Sequence, residues 1–305
     1  MNVVAALGGN ALLERGDVPE AEIQEHHVVA AVAALAPIAR DHDLVVTFGN
    51  GPQVGVLAVE SASDPTLPHP LPFDVLVAQT QGMIGYFLLQ AFQNALPERQ
   101  VVSVVSQTLV RADDPAFANP TKFVGQTYDE QDARGLAAAR GWQVRQDGTS
   151  WRRVVPSPEP QAIVELSTVQ GLLADHAVVI CSGGGGVPVA RDSNGRLHGV
   201  EAVVDKDLTS ALLAEDLGAD ALLLLTAVSA VELGFGTDDA RRIRQTTVAE
   251  LRSHTFPAGS MGPKVDAACR FVAKAGRPAM IGRLDQAAQV LSGTEGTIVE
   301  PDIGT

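Results

Sequence analysis

Short, unbroken apolar runs rich in β-branched residues alternate with stretches of helical periodicity along most of the chain, and this alternation constrains the fold more than any other feature. Residues 3–7, 44–48, 101–106, 177–181, 221–226 and 279–281 read as strands. Residues 30–40, 77–94, 164–174, 207–217 and 263–275 read as helices. A strand wetted on one face alternates apolar with polar residues, whereas a continuously apolar strand is covered on both faces. Strands of the second kind, each followed by a helix, predict an α/β fold: a three-layer αβα sandwich on a mostly parallel central sheet.

One stretch breaks the rhythm. Residues 111–160 are richer in Pro, Asp, Gly, Gln and aromatics and poorer in long apolar runs. A structureless loop of that length is unusual in a compact domain. The stretch is therefore expected to be a small protruding subdomain inserted in a single domain spanning 1–305, with a helix near 131–139 and a modest core of Phe117, Phe123, Tyr128, Trp142 and Trp151.

The 305 residues carry 36 acidic against 22 basic side chains, a formal net charge of -14. Such a chain is a poor binder of nucleic acid or of an anionic membrane surface. Any anionic ligand must be received by a few local cations. Cys181 and Cys269 are the two cysteines; they make no disulfide framework and no Cys/His cluster, which predicts free thiols in a reducing compartment. The apolar start has no basic segment before it and is interrupted by Gly8, Gly9 and Asn10, so it reads as a strand and turn rather than a signal peptide. No run approaches the ~18–20 apolar residues of a membrane span. A soluble, cytoplasmic protein is expected.

Glycine clusters where strands end: Gly8, Gly9 and Asn10 after the first strand, Gly49, Asn50 and Gly51 after the second, and Gly183, Gly184, Gly185 and Gly186 after the run that ends at Cys181. In a doubly wound sheet, ligands collect at the carboxyl ends of strands, where glycine lets backbone N–H groups approach a phosphate and the next helix adds its positive end. A single such loop serves tight turns equally well; three together favour binding of phosphate or carboxylate. GxxxxGK[ST], GxGxxG and the protein-kinase motif set are absent.

Phosphoryl transfer needs alignment and positive charge more than covalent help. Lys122 in NPTKFVG, Lys206 between Asp205 and Asp207, and Lys264 after a Gly-rich turn all lie in turns beside helix starts. Asp207 can cap a helix or hold neighbouring lysines by accepting their hydrogen bonds.

ALGGNAL, GNGPQVG, NPTK, WRRVVPSP, the GGGGVPV loop, GVEAVVDKDL and GSMGPKV, in this order, resemble the carbamate kinase family of the amino-acid kinase superfamily over nearly the whole chain. The resemblance implies an eight-stranded αβα sandwich, a homodimer, ATP/ADP and Mg2+ as cofactors, and the reaction carbamoyl phosphate + ADP ⇌ carbamate + ATP, running toward ATP in arginine or purine breakdown. It places Gly8, Gly9 and Asn10 near the transferred group and Gly49, Asn50 and Gly51 at the acceptor. Gly183 to Gly186 would line the phosphate path, and Thr226, Ser229, Met261 and Lys264 would lie at the nucleotide. Lys206, Lys264 and Asp207 would serve the transition state. Relatives with larger acceptors carry a lysine where this chain has Ala6, and Lys122 is expected to supply the missing cation. The family's LTDVDAV reads LTAVSAV here, with Ala227 and Ser229. That change motivates a second reading, a nucleotide-binding or sensing module with little turnover. A third reading is a related kinase of another small acid.

Overall fold

The structure, a computed structural model, describes residues 1–9, 12–13, 17–237, 239–256 and 261–302. Asn10 lies outside them. Strands and helices are numbered along the chain. The largest sheet contains β1 (Asn2–Leu7), β2 (Asp43–Phe48), β3 (Val101–Ser103), β9 (Val178–Ile180), β12 (Ala221–Thr226), β15 (Gln245–Thr247), β16 (Ala279–Arg283) and β17 (Thr297–Glu300), in spatial order β15-β17-β16-β12-β1-β2-β9-β3. The run from β16 to β3 is parallel, and β17 pairs antiparallel with β16.

Because side chains alternate along a strand, β1 feeds two cores. Val3, Ala5 and Leu7 join one with α1 (Ala21–Asp41), α3 (Phe73–Ala95) and α9 (Ala287–Leu291). Val4 and Ala6 join the other with α5 (Leu166–Ala174), α6 (Lys206–Asp216), α7 (Val248–Arg252) and α8 (Met261–Ala275). This double coverage is why the strands lack polar alternation. α3 is long and apolar enough to span a membrane by composition, yet it buries Phe73, Leu76, Val77, Ile84, Leu88 and Phe92 in the interior. Cys181 and Cys269 are both free and buried, and burial pushes the Cys181 thiol up to about 12.

Some boundaries differ from the expected ones. α1 starts nine residues before the expected 30, in AEIQEHH, where apolar periodicity has not begun. The strand expected over 101–106 ends at Ser103, because Val104 makes one last bond to Ile180 O and Ser106 is drawn to Gln81. α2 (Gly51–Ser63) is an element the pattern did not reveal.

Between β3 and β9, and again between β9 and β12, the chain leaves the large sheet. β4 (Gln107–Leu109), β8 (Ala162–Ile163), β10 (Val187–Arg191) and β11 (Leu197–Gly199) form a four-stranded sheet. β5 (Lys122–Tyr128), β6 (Gln143–Asp147) and β7 (Ser150–Val155) form a separate antiparallel sheet in order β5-β7-β6, with α4 (Glu130–Arg140) beside it. β13 (Val231–Leu233) and β14 (Arg241–Ile243) make a hairpin after β12.

The aromatic core expected for residues 111–160 does not form. Val124, Ala133, Val154 and Val155 are the buried apolar side chains near its centre, while the aromatics stay half-buried. Guanidinium groups cover them instead: Arg134 lies 5.0 Å from the Trp151 ring centroid, Arg152 5.6 Å from Phe123, and Arg140 and Arg153 5.1 and 4.7 Å from Trp142. Cation–π stacking keeps one ring face on protein and the charge in water.

Candidate active site

Three glycine turns meet at the carboxyl ends of β1, β2 and β9. Gly8 N donates to Leu225 O and Gly49 N to Leu7 O, at 3.1 and 2.9 Å, which ties the first turn to β12 and the second to β1. A Cβ at Gly49 would lie 2.7 Å from Gly9 N, and one at Gly184 would collide with the Asn50 side chain. Gly184, Gly185 and Gly186 have φ of 64, 87 and 86°, a backbone that only glycine adopts freely. The loop 183–186 is fully packed, and Gly185 O accepts from Thr108 Oγ1 (2.7 Å) and Thr209 Oγ1 (3.1 Å). Thr209 belongs to α6, so the glycine loop touches the helix that carries two of the candidate charges.

α2 opens at Gly51, immediately after Asn50. The Asn50 side chain does not cap it but donates to Thr80 Oγ1 at 2.8 Å. The first amides of α2 are therefore left without that cap at the edge of the turns, the arrangement in which a helix start receives an anion.

The cations come from three elements. Lys206 Nζ is 2.5 Å from Asp207 Oδ1, and Lys264 Nζ, from the first turn of α8, is 3.0 Å from Asp207 Oδ2. All three side chains are nearly sealed from solvent. Burial pushes the Asp207 carboxyl up, but the Lys206 and Lys264 charges outweigh it and hold it well below the usual carboxylate range. Burial pulls the Lys206 ammonium below its ordinary value, opposed by the Asp207 charge. Lys122, first residue of β5, reaches Asp205 Oδ2 at 2.7 Å. Burial raises Asp205 and the Lys122 charge lowers it, the net result being below the ordinary value.

The sequence allowed Asp207 as a helix cap, and here the structure differs. The N-cap of α6 is Asp205, in extended conformation, whose Oδ1 accepts from Asp207 N and Leu208 N at 2.9 and 3.3 Å. Asp207 lies inside the first turn with both oxygens taken by lysines.

Gly9 packs against Gly49 and Gly184 against Asn50, and Gly185 joins that turn to α6. Lys206, Asp207 and Lys264 form one cluster at the start of α6, to which Lys122 is tied through Asp205. Gly51 opens α2, Gly183 packs on Phe48 and Gln81, and Thr226 follows Leu225, whose O accepts from Gly8 N. Ser229, in the bend after β12, and Met261, at the start of α8, form no hydrogen bond with the lysine–aspartate cluster among the described residues. Asp205 and Thr209 escaped the sequence reading; an Asp immediately ahead of a helical run was the available signal. No group of three or more His, Cys, Asp or Glu side chains that could cage a metal occurs among the described residues.

A parallel sheet whose carboxyl edge gathers glycine turns, an uncapped helix start and three lysines defines a phosphoryl-transfer enzyme of the amino acid kinase type. The model of the Amino acid kinase family matches residues 1–283. Carbamate kinase of Rhizobium meliloti (strain 1021) is 50% identical over 303 residues, covering 98% of this chain and 93% of that protein. Carbamate kinase of Pyrococcus horikoshii is 45% identical, covering 98% of this chain and 99% of its own length. The structure of carbamate kinase from Giardia lamblia bound to AMP-PNP superposes with a TM-score of 0.90 at 39% identity, covering 99% of this chain and 98% of that one. The chain belongs to the amino acid kinase family, and within it to the carbamate kinases.

Proposed function

We propose that this chain catalyses carbamoyl phosphate + ADP ⇌ carbamate + ATP, and that the buried Lys206–Asp207–Lys264 cluster facing the glycine turns carries the reaction. The observation behind this reading is that two lysines share one carboxylate in a nearly dry site. Asp207 fixes both ammonium groups, so little reorganisation is needed as charge develops. In the ATP-forming direction, a terminal phosphate oxygen of ADP attacks the phosphorus of carbamoyl phosphate, and the P–O bond to the carbamate oxygen breaks. Carbamate leaves as an anion. Attacking and leaving oxygens are both already anionic, so no general base is required and positioning carries the catalysis.

Gly8 and Gly9 are assigned to the moving phosphoryl group, together with Asn10. Gly49, Asn50 and Gly51 are assigned to the carbamate end, and Gly183, Gly184 and Gly185 to the phosphate path. Thr226, Ser229, Met261 and Lys264 are assigned to the nucleotide. Lys122 supplies the cation that Ala6 does not. Mg2+ is read as arriving with the nucleotide, held mainly by its phosphates and water, because both Asp207 oxygens already serve lysines and no protein cage is at hand among the described residues; bound there, it would neutralise phosphate charge.

Residues 111–160 are read as one inserted subdomain of a single 1–305 domain, and the protein as a cytoplasmic enzyme, a reading supported by its unpaired buried thiols. A homodimer is inferred at the β3 edge. Among the described residues this strand has only β9 as neighbour, Tyr86 and Val105 beside it are each 53% exposed, and α3 approaches β3 where Gly85 meets Ser103.

The test is ATP formation from carbamoyl phosphate and ADP with Mg2+ by purified protein. Activity in wild type and a loss of at least ~100-fold in Lys206→Ala are expected. Tight ATP binding without turnover would instead favour a nucleotide-sensing module.

A further inference from the structure

Asp205 has no role in the chemistry above, yet its two carboxylate oxygens serve different masters. Oδ1 caps α6 through Asp207 N and Leu208 N. Oδ2 accepts Lys122 Nζ at 2.7 Å, across 83 residues of sequence. Capping alone needs one oxygen, and Asn or Ser would cap about as well. Only an ionised carboxylate offers a second, charged acceptor in the same place, and a charge-assisted bond is roughly twice as strong as a neutral one.

Lys122 needs such a partner. Its side chain is 36% exposed, whereas that of Asp205 is 14% exposed. It stands at the start of β5, on the three-stranded sheet, which among the described residues shares no strand with the large one. A lysine stem left free samples many rotamers, and ordering it costs conformational entropy. The partner it finds sits at the first turn of α6, one residue before Lys206 and two before Asp207.

We propose that Asp205 is a positioning residue: it holds Lys122 at the amino end of α6, joining the cation of the three-stranded unit to the helix that bears Lys206 and Asp207. The inference rests on the reading that Lys122 serves the transferred phosphoryl group. Asp205 acts through Lys122 and touches no substrate.

The experiment compares wild type, Lys122→Ala, Asp205→Asn and the double variant in the ATP-forming assay, with thermal melts to verify folding; Asp205→Ser, a second neutral cap, stands in if Asp205→Asn is unstable. Asp205→Asn keeps the cap and removes the charge. Its kcat is expected to fall about tenfold with KM for ADP within about twofold, and the double variant is expected to be no slower than Lys122→Ala. A readout independent of turnover is the rate of reductive methylation of Lys122, followed by peptide mass spectrometry, which should rise several-fold in Asp205→Asn. An unchanged kcat, an Asp205→Asn loss of equal factor in the Lys122→Ala background, or an unchanged methylation rate overturns the proposal. Wild-type activity in Lys122→Ala would instead remove the reading on which it stands.

Discussion

Replacing Gly55 by alanine tests whether placement of the three-stranded unit controls the chemistry. Gly55 lies in α2, facing Gly125 of β5. A Cβ at position 55 would sit 2.6 Å from Gly125 Cα and 2.8 Å from Gly125 N. Ordinary carbon contacts are about 3.5–4.0 Å, so α2 and β5 must part by roughly 1 Å. Gly125 cannot yield by rotating its backbone freely, because it sits at φ 73° where the register of β5 against β7 shifts. Lys122 is three residues upstream on the same strand. A displacement of about 1 Å at a reacting constellation can cost ~10²-fold in rate. The stability change is smaller: overpacking costs about 1–3 kcal/mol, and alanine in a helix returns up to about 1 kcal/mol relative to glycine. Gly55→Ala is therefore expected to lose about two orders of magnitude in kcat, with a Tm within several degrees of wild type and ADP affinity by calorimetry within about threefold. The assay is ATP formation at saturating carbamoyl phosphate and ADP. A kcat within threefold of wild type, alongside an impaired Lys122→Ala, would refute the reasoning.

Asp207→Asn leaves two buried ammonium groups facing a neutral amide and is expected to cost about 3 kcal/mol, or roughly 6 °C in Tm for a domain of this size, besides abolishing turnover. The pH dependence has a definite sign. Asp207 has its carboxyl lowered in the folded state, so its stabilisation is present above the unfolded carboxylate value of about 3.9 and is lost as pH falls through the lower folded value; the variant lacks that acid-side slope. Lys206 is shifted downward, and losing its counter-ion lowers it further, so the gap between variant and wild type should narrow as pH rises toward about 10; a gap constant from pH 6 to 10 in thermal melts would contradict this account. Tyr86→Glu places a charge on the exposed patch beside β3, and light scattering should show a shift from dimer toward monomer; a wild-type protein that is monomeric throughout would dispose of the inferred interface.

What could be read beforehand follows physical reach. The strand at 221–226 was legible to the residue because five of its six side chains are buried and its composition is continuous. α2 was not, because it opens on Gly-Pro and carries a glycine at 55 whose reason is an approach by β5 about seventy positions away. The short strands β4, β8 and β10 exist through pairing across long sequence separations, β11 only completes a local hairpin with β10, and all four carry little periodicity of their own. Within the site, lysines and glycine turns stood out because moving a phosphoryl group demands charge and close backbone approach. Asp205 did not, because Asp-Lys-Asp leaves two candidate caps until the start of the helix is known, and its second partner, Lys122, is distant in the chain. The expected aromatic cluster failed because nearby arginines compete for the ring faces and let the rings stay at the surface.

Ala6 explains why charge must come from outside the sheet. It is fully buried, its register partners are Thr47 and Leu224, and Thr47 Oγ1 lies 2.7 Å from Ser210 Oγ. Ser210 in turn bonds to Lys206 O at 2.6 Å, so the first turns of α6 rest directly on β1 and β2 at this point. A lysine at position 6 would have to bury its stem where that helix now lies. Seating Lys206 and Asp207 over the strand and doing without a cation on the strand are thus one arrangement. The remaining cation arrives on β5, in a sheet that among the described residues shares no hydrogen-bonded strand with the main one. With three lysines against two aspartates, the cluster carries a formal charge of only +1 before any phosphate binds, and on the proposed role of Lys122 an incoming dianion gains most where that lysine is already held. On that proposed role, substrate capture and the seating of the three-stranded unit would favour each other, since each would stabilise the position of Lys122 that the other requires.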